Sequence, residues 1–383
     1  MRIFHVDTFT HRSFCGNPAT VVLDADNASD ATLRSIAQEF SHAEIAFVAA
    51  ATAADHDVRV RFFNTRKEAP FVGHATIAAH AVLLAVGGRG RGTCRQMSGT
   101  GILDVRIQQE DPIMIEFRQS VPELDAPQPL TTTLRVAEAL RLPATQLHEA
   151  MPARIARKGS TRLLVPVAQP AALDALAPNF DTLMTLGQEL GAEGFFVFAV
   201  EGGESPRGSD LRGPDSYGPG VGGPGLGGTG LDGPGLGQPG LGGPDLGESG
   251  SGGRGLGGPD SCSPAGRSAE ATSPDVPGPS QHDPAWRRPA RLSTDARMFC
   301  PALGIPEDPV SGNAHAMLAA YLWTLGEFGS GSDSGSACFV GRQGRQMNRA
   351  GEVSVSLELE HGALRAVRIA GGAVILSEGT LNL

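Results

Sequence analysis

Lysine is nearly missing from this chain, with Lys67 and Lys158 standing against 29 arginines. Schiff-base and pyridoxal chemistry need a lysine amine, so neither is expected, and no cofactor is called for. The five cysteines are odd in number, widely spaced and without a CxxC pair, so neither a disulfide framework nor a structural zinc site is expected. Long apolar runs are absent too: the longest, 45–54, is about half a membrane span. The chain opens on a strand-like Met1–Asp7 in place of a charged segment followed by an apolar run, and a cytoplasmic protein without a membrane partner is expected. A net charge of −10 without a basic cluster excludes a nucleic-acid surface. HExxH, GxSxG and P-loop patterns are absent, and His74, His80 and His315 have no metal-ligand spacing, so no metal is expected.

Glycine and proline are in excess instead, at 52 and 28 residues, and the excess is local. The 89 residues from Gly202 to Ala290 hold 27 of the glycines and 14 of the prolines. Leu226, Leu231, Leu236, Leu241 and Leu246 recur there every five residues, with Pro219, Pro224, Pro234, Pro239 and Pro244 on the same period. Such a repeat carries too little apolar bulk to offset its ordering entropy, and the cost of closing a loop grows slowly with length. The expectation for 201–290 is a disordered insertion, not a third domain.

The remainder reads as mixed strands and helices. Asp57–Phe62 and Glu352–Leu359 alternate strictly, as half-buried antiparallel strands do. Leu33, Ile36, Ala37 and Phe40 fall at helical spacing within Asp30–Phe40, and Gly194–Val200 is an apolar strand running into the insertion. An internal echo organises the rest. Glu68-Ala69-Pro70-Phe71-Val72-Gly73-His74-Ala75 matches Glu307-Asp308-Pro309-Val310-Ser311-Gly312-Asn313-Ala314, and each is followed by a run of small residues, Thr76–Leu84 and His315–Leu322. Glycine ahead of a small-residue helix leaves free backbone N–H groups and the positive end of the helix dipole at the helix start. Two such starts imply two related domains and, if they face each other, a site for a carboxylate.

Three side chains near these starts could carry proton chemistry. Glu44 lies among apolar neighbours in Ala43–Val48, where burial raises a carboxyl pKa toward the range a general acid or base requires. His74 and Asp308 sit beside the two starts, able to shuttle or orient a proton.

The segments Phe14-Cys15-Gly16-Asn17-Pro18-Ala19, Ser41–Val48, Gly73-His74-Ala75-Thr76, Gly304–His315, and Gln343-Gly344 with Met347 and Arg349 resemble the PhzF family of phenazine-biosynthesis-like isomerases, which share the diaminopimelate epimerase fold. The resemblance implies an α+β fold of two similar domains, each a curved, mostly antiparallel sheet wrapped around a central helix. The boundaries expected are 1–120 completed by a strand at about 370–383, and 121–200 with 291–369. It implies a proton shuttle at Glu44 assisted by His74 and Asp308, and a homodimer. Gly73, Ser311, Gly312 and Asn313 would bind the substrate; Asn313 stands where the family often has serine and could bind through its backbone N–H and side-chain amide. The best-understood family member isomerises trans-2,3-dihydro-3-hydroxyanthranilate. Epimerases of this fold place a cysteine before each helix-starting glycine; here those positions are Val72 and Ser311, which removes two-thiol inversion. The expected activity is cofactor-independent relocation of a proton on a small carboxylate. The alternatives are a non-catalytic binding or regulatory protein of the same fold and an amino-acid epimerase.

Overall fold

The computed structural model describes residues 1–40, 44–87, 91–110, 112–201, 292–328 and 337–383. The expected insertion at 201–290 lies, apart from Glu201, outside the described residues. The rest has an α+β fold, and no described helix is long and apolar enough to cross a membrane.

The first half builds a closed ring of strands. β1 (Arg2–Thr8) pairs antiparallel with β2 (Asn17–Val22), β2 runs parallel to β3 (Ile45–Ala50), and β3 is antiparallel to β4 (Val58–Phe63). Between β2 and β3, the expected helix forms as α1 (Asp30–Glu39), with the Ser29 side chain accepting the Thr32 N–H. The short β5 (Glu68–Ala69) pairs with β4 and leads into α2 (Gly73–Gly87). β6 (Gly92–Ser98) then runs parallel to β4, followed by antiparallel β7 (Gly101–Glu110) and β8 (Ile113–Ser120). The last strand, β17 (Ala363–Thr380), pairs with both β8 and β1 and closes the ring.

The helix α2 lies inside this ring, packed on β1, β2, β3, β4, β7, β8 and β17. Its sequence explains why. Ala75–Val82 has no polar stripe and is buried on every side, as a helix that is apolar all round must be. The two polar members are satisfied internally: the Thr76 hydroxyl donates to Val72 O at 2.9 Å, and His80 Nε2 lies 3.0 Å from Gln96 Oε1.

The same order of elements recurs in the second half. β10 (Arg154–Arg157) pairs with β9 (Glu123–Pro127) and with β11 (Thr161–Pro166), and β11 runs parallel to β12 (Gly194–Glu201). α3 (Leu130–Ala139), the one-turn α4 (Ala171–Asp174) and α5 (Phe180–Leu190) cover the outer face of this sheet. β12 is antiparallel to β13 (Leu292–Cys300), which pairs antiparallel with β14 (Ile305–Asp308) and parallel with β15 (Cys338–Gln343). α6 (Gly312–Thr324) connects β14 to β15, and β16 (Gly351–Glu360) joins β15 to β17. Like α2, α6 is buried on all sides from Ala314 to Leu322.

β17 belongs to both arrays. Its edge pairs with β16 up to Ala370 and with β1 from Ala373 onward. Phe9 occupies the fork between these partners. Its N–H donates to Gly372 O and its carbonyl accepts the Glu352 N–H, both at 2.8 Å. The ring is 1 % exposed, and a Cβ added to Gly371 would lie 2.4 Å from it and one added to Gly312 2.8 Å. Phe9→Ala would empty this fork and is expected to cost about 3–5 kcal/mol of stability, measurable as a lowered denaturation midpoint.

Candidate active site

The parallel register of β2 and β3 sets Ile45, the first residue of β3, beside Thr20 in the middle of β2. Glu44 immediately precedes β3 with its side chain 25 % exposed, and its Oε2 lies 3.7 Å from Nε2 of His74, the second residue of α2. That distance permits attraction without a hydrogen bond, and the buried His74 Nε2 has no hydrogen-bond partner among the described residues. Burial holds His74 below its ordinary pKa, against an opposing pull from Glu44, so its imidazole is neutral at neutral pH.

Asp308 closes the constellation from the other array, at the end of β14. Burial and then the negative charge of Glu44 push its carboxyl up to about 7, while Arg162, the Val310 N–H and Asn17 pull it down. Asn17 Nδ2 donates to Asp308 Oδ1 at 3.0 Å and to Val310 O at 2.7 Å. Two acceptors at one end fix the orientation of that amide. Because Oδ1 accepts, a proton on Asp308 belongs on Oδ2. Gln343, 3 % exposed, braces the same turn: its Nε2 donates to Asp308 O at 2.6 Å and its Oε1 accepts the Ser311 N–H at 3.1 Å.

Asn17 is itself anchored. Gly16 precedes it at φ +64°, where an added Cβ would meet Thr8 O at 2.0 Å, so only glycine fits. Arg349 Nε donates to Gly16 O at 2.9 Å while its Nη2 pairs with Asp7, which also accepts the Phe14 N–H.

The substrate-binding expectations fall at the helix starts. Gly73 admits the Phe117 ring, 3.1 Å from a notional Cβ, as Gly312 admits Phe9, so the echo extends from sequence to packing. The Ser311 hydroxyl caps α6 by accepting the Ala314 N–H at 3.3 Å. Asn313 Nδ2 donates to Lys158 O and to Ser160 Oγ, both at 3.0 Å. That corrects one expectation: the Asn313 amide donors are engaged within the protein, leaving its backbone N–H for a ligand. The first-turn N–H groups of both helices have no acceptor within their own helix. Asn17, Gln343 and Arg349 stood in the matched segments without an assigned role. Arg162 had no such signal.

The family profile described as "Phenazine biosynthesis-like protein" (PhzC-PhzF) matches residues 6–212 and 281–379. An uncharacterized isomerase of Escherichia coli K12, YddE, is 28% identical over 376 residues, covering 98% of this chain and 96% of that protein. An uncharacterized isomerase of Clostridium acetobutylicum is 25% identical over 382 residues, covering 100% and 98%. Among solved structures, the Bacillus anthracis phenazine biosynthesis protein of the PhzF family superposes with a TM-score of 0.68 at 20% identity, covering 100% of this chain and 99% of that one. A probable proline racemase from Agrobacterium radiobacter has a TM-score of 0.52 at 10% identity, covering 100% and 93%; both structures are similar in fold.

The charge coupling is measurable. Removing the Glu44 charge by Glu44→Gln is expected to lower the Asp308 midpoint, read by carbon NMR of its carboxyl, while burial keeps it above the usual ~3.9. A raised carboxyl pKa contributes stability that is complete below the unfolded-state value and lost as pH rises through about 7. The melting-temperature difference between wild type and Asp308→Asn should therefore shrink from pH 5 to pH 8.

Proposed function

This chain belongs to the phenazine biosynthesis-like family, and on that footing we propose that the isomerase moves one proton on a small carboxylate-bearing metabolite without a cofactor, as a cytoplasmic homodimer. The substrate is of the kind turned over by trans-2,3-dihydro-3-hydroxyanthranilate isomerase. We propose equally that the strand ring around α2 and the sheet around α6 are two duplicated domains, a reading supported by the recurring pairing order and the matched helix starts.

The observation that carries the chemistry is the convergence of Glu44, His74 and an Asp308 that titrates near neutrality. In this reading the Glu44 carboxylate takes a proton from a substrate carbon. The electron pair of that C–H bond moves through the adjoining unsaturated system to a second carbon, which takes the proton back from Glu44. Neutral His74 orients the reacting group, and protonated Asp308 donates a hydrogen bond from Oδ2 to a substrate heteroatom while charge builds there, keeping its proton at the end. The first turns at Gly73 and at Ser311, Gly312 and Asn313 hold the carboxylate, placing fixed dipoles where charge gathers. Val72 and a Ser311 engaged in capping occupy the positions where two-thiol inversion would need cysteines.

Turnover of trans-2,3-dihydro-3-hydroxyanthranilate and of a panel of small unsaturated carboxylates in deuterium oxide tests this. Wild type should place deuterium in the turned-over molecule, and Glu44→Gln should slow that exchange by about 10²-fold or more. Undiminished exchange in Glu44→Gln would refute the role of Glu44. Binding of these acids by wild type with no exchange at all would mark a binding protein.

A further inference from the structure

Arg162 is the second residue of β11, with its side chain only 9 % exposed, yet it is poorly paired. One terminal nitrogen, Nη1, donates to Thr161 O at 3.0 Å and reaches Glu193 at 3.5 Å, a carboxylate that is itself 47 % exposed. Nε and Nη2 donate to no described group. A guanidinium offers five donors, and burying its charge without full pairing is costly. Such a group is stable beside an anion.

The register shows where that anion would lie. Arg162 pairs with Gly194, and Phe195, next along β12, pairs with Phe299, which sets Gly194 opposite Cys300. Gly194 has no side chain, and the Arg162 stem crosses that gap: a Cβ there would stand 3.1 Å from Arg162 Cδ and 2.5 Å from Cys300 Sγ. On the same sheet face, two residues along β13, Met298 pairs with Asp308. This face packs on α6, with Phe196 and His315 edge to face at 5.2 Å. The turn that leads into Arg162 holds Asn313 through Lys158 O and Ser160 Oγ. Arg162 therefore stands beside the first turn of α6, on the Asp308 side.

We propose that Arg162 is a substrate-recognition residue: with the first turn of α6 it forms a subsite for a carboxylate on the part of the substrate that faces Asp308. This rests on the reading that the site takes a small acid, and it adds a residue that chooses among such acids. A planar fork suits a carboxylate better than a lysine ammonium does.

Malonate serves as the probe. On titration into wild type the Arg162 Nε–H resonance should shift, and Arg162→Met should bind malonate at least tenfold more weakly, with Arg162→Lys in between. Neutral malonamide should not distinguish the three proteins. Arg162→Lys keeps the test available if the methionine variant does not fold. Equal malonate affinity in Arg162→Met, or an Arg162 resonance that malonate leaves unmoved, would overturn the proposal. Arg162-dependent malonate binding together with undiminished proton exchange in Glu44→Gln would refute the Glu44 role and leave this subsite standing.

Discussion

The site depends on one packing constraint, the Phe9 ring wedged where β17 exchanges β16 for β1. A strand cannot pair with two partners on one edge at the same point, so the fork must be filled by something that also satisfies its backbone groups. Phe9 does both, bonding to Gly372 and Glu352 through its backbone while its ring lies against Gly371 and Gly312. Ile77 of α2 approaches the same Gly371, 3.3 Å from a notional Cβ. One aromatic ring thereby sets the distance between α2 and α6.

Around that fixed point the polar groups form a continuous chain. Asp7 holds Arg349, Arg349 holds Gly16, Asn17 holds Asp308, and Gln343 links Asp308 to the start of α6. Each link joins segments far apart in sequence. The network supplies hydrogen bonds to buried groups that would otherwise be costly. It also accounts for an ionisable carboxyl being tolerated close to a second one: the partners of Asp308 oppose its burial and the Glu44 charge without cancelling them.

Much of this was legible in the sequence, and the reasons differ by element. α1 and β16 appear within a residue or two of expectation because one face of each is buried and one is not, which writes a period into the chain. α2 and α6 have no such period. They were found from the echo and extend beyond the small-residue runs, to Gly87 and Thr324. Glu44, His74 and Asp308 do converge. The bracing by Asn17 and Gln343 was not readable, because an amide bridging 291 residues leaves no local pattern. The same holds for Asn313, whose amide turns to a hairpin distant in sequence. A domain boundary near residue 370 was expected; β17 runs unbroken through Gly371 and Gly372, and its neighbours change there.

An unbroken β17 has a mechanical consequence. Two bodies joined by a flexible linker can swing apart to admit a ligand, whereas these arrays share a strand hydrogen-bonded on both edges between Ala366 and Ala370. Widening the gap between the helix starts would have to twist that strand or break its ladders. Any opening between the helix starts therefore carries the cost of deforming the shared ladder at Ala366–Ala370.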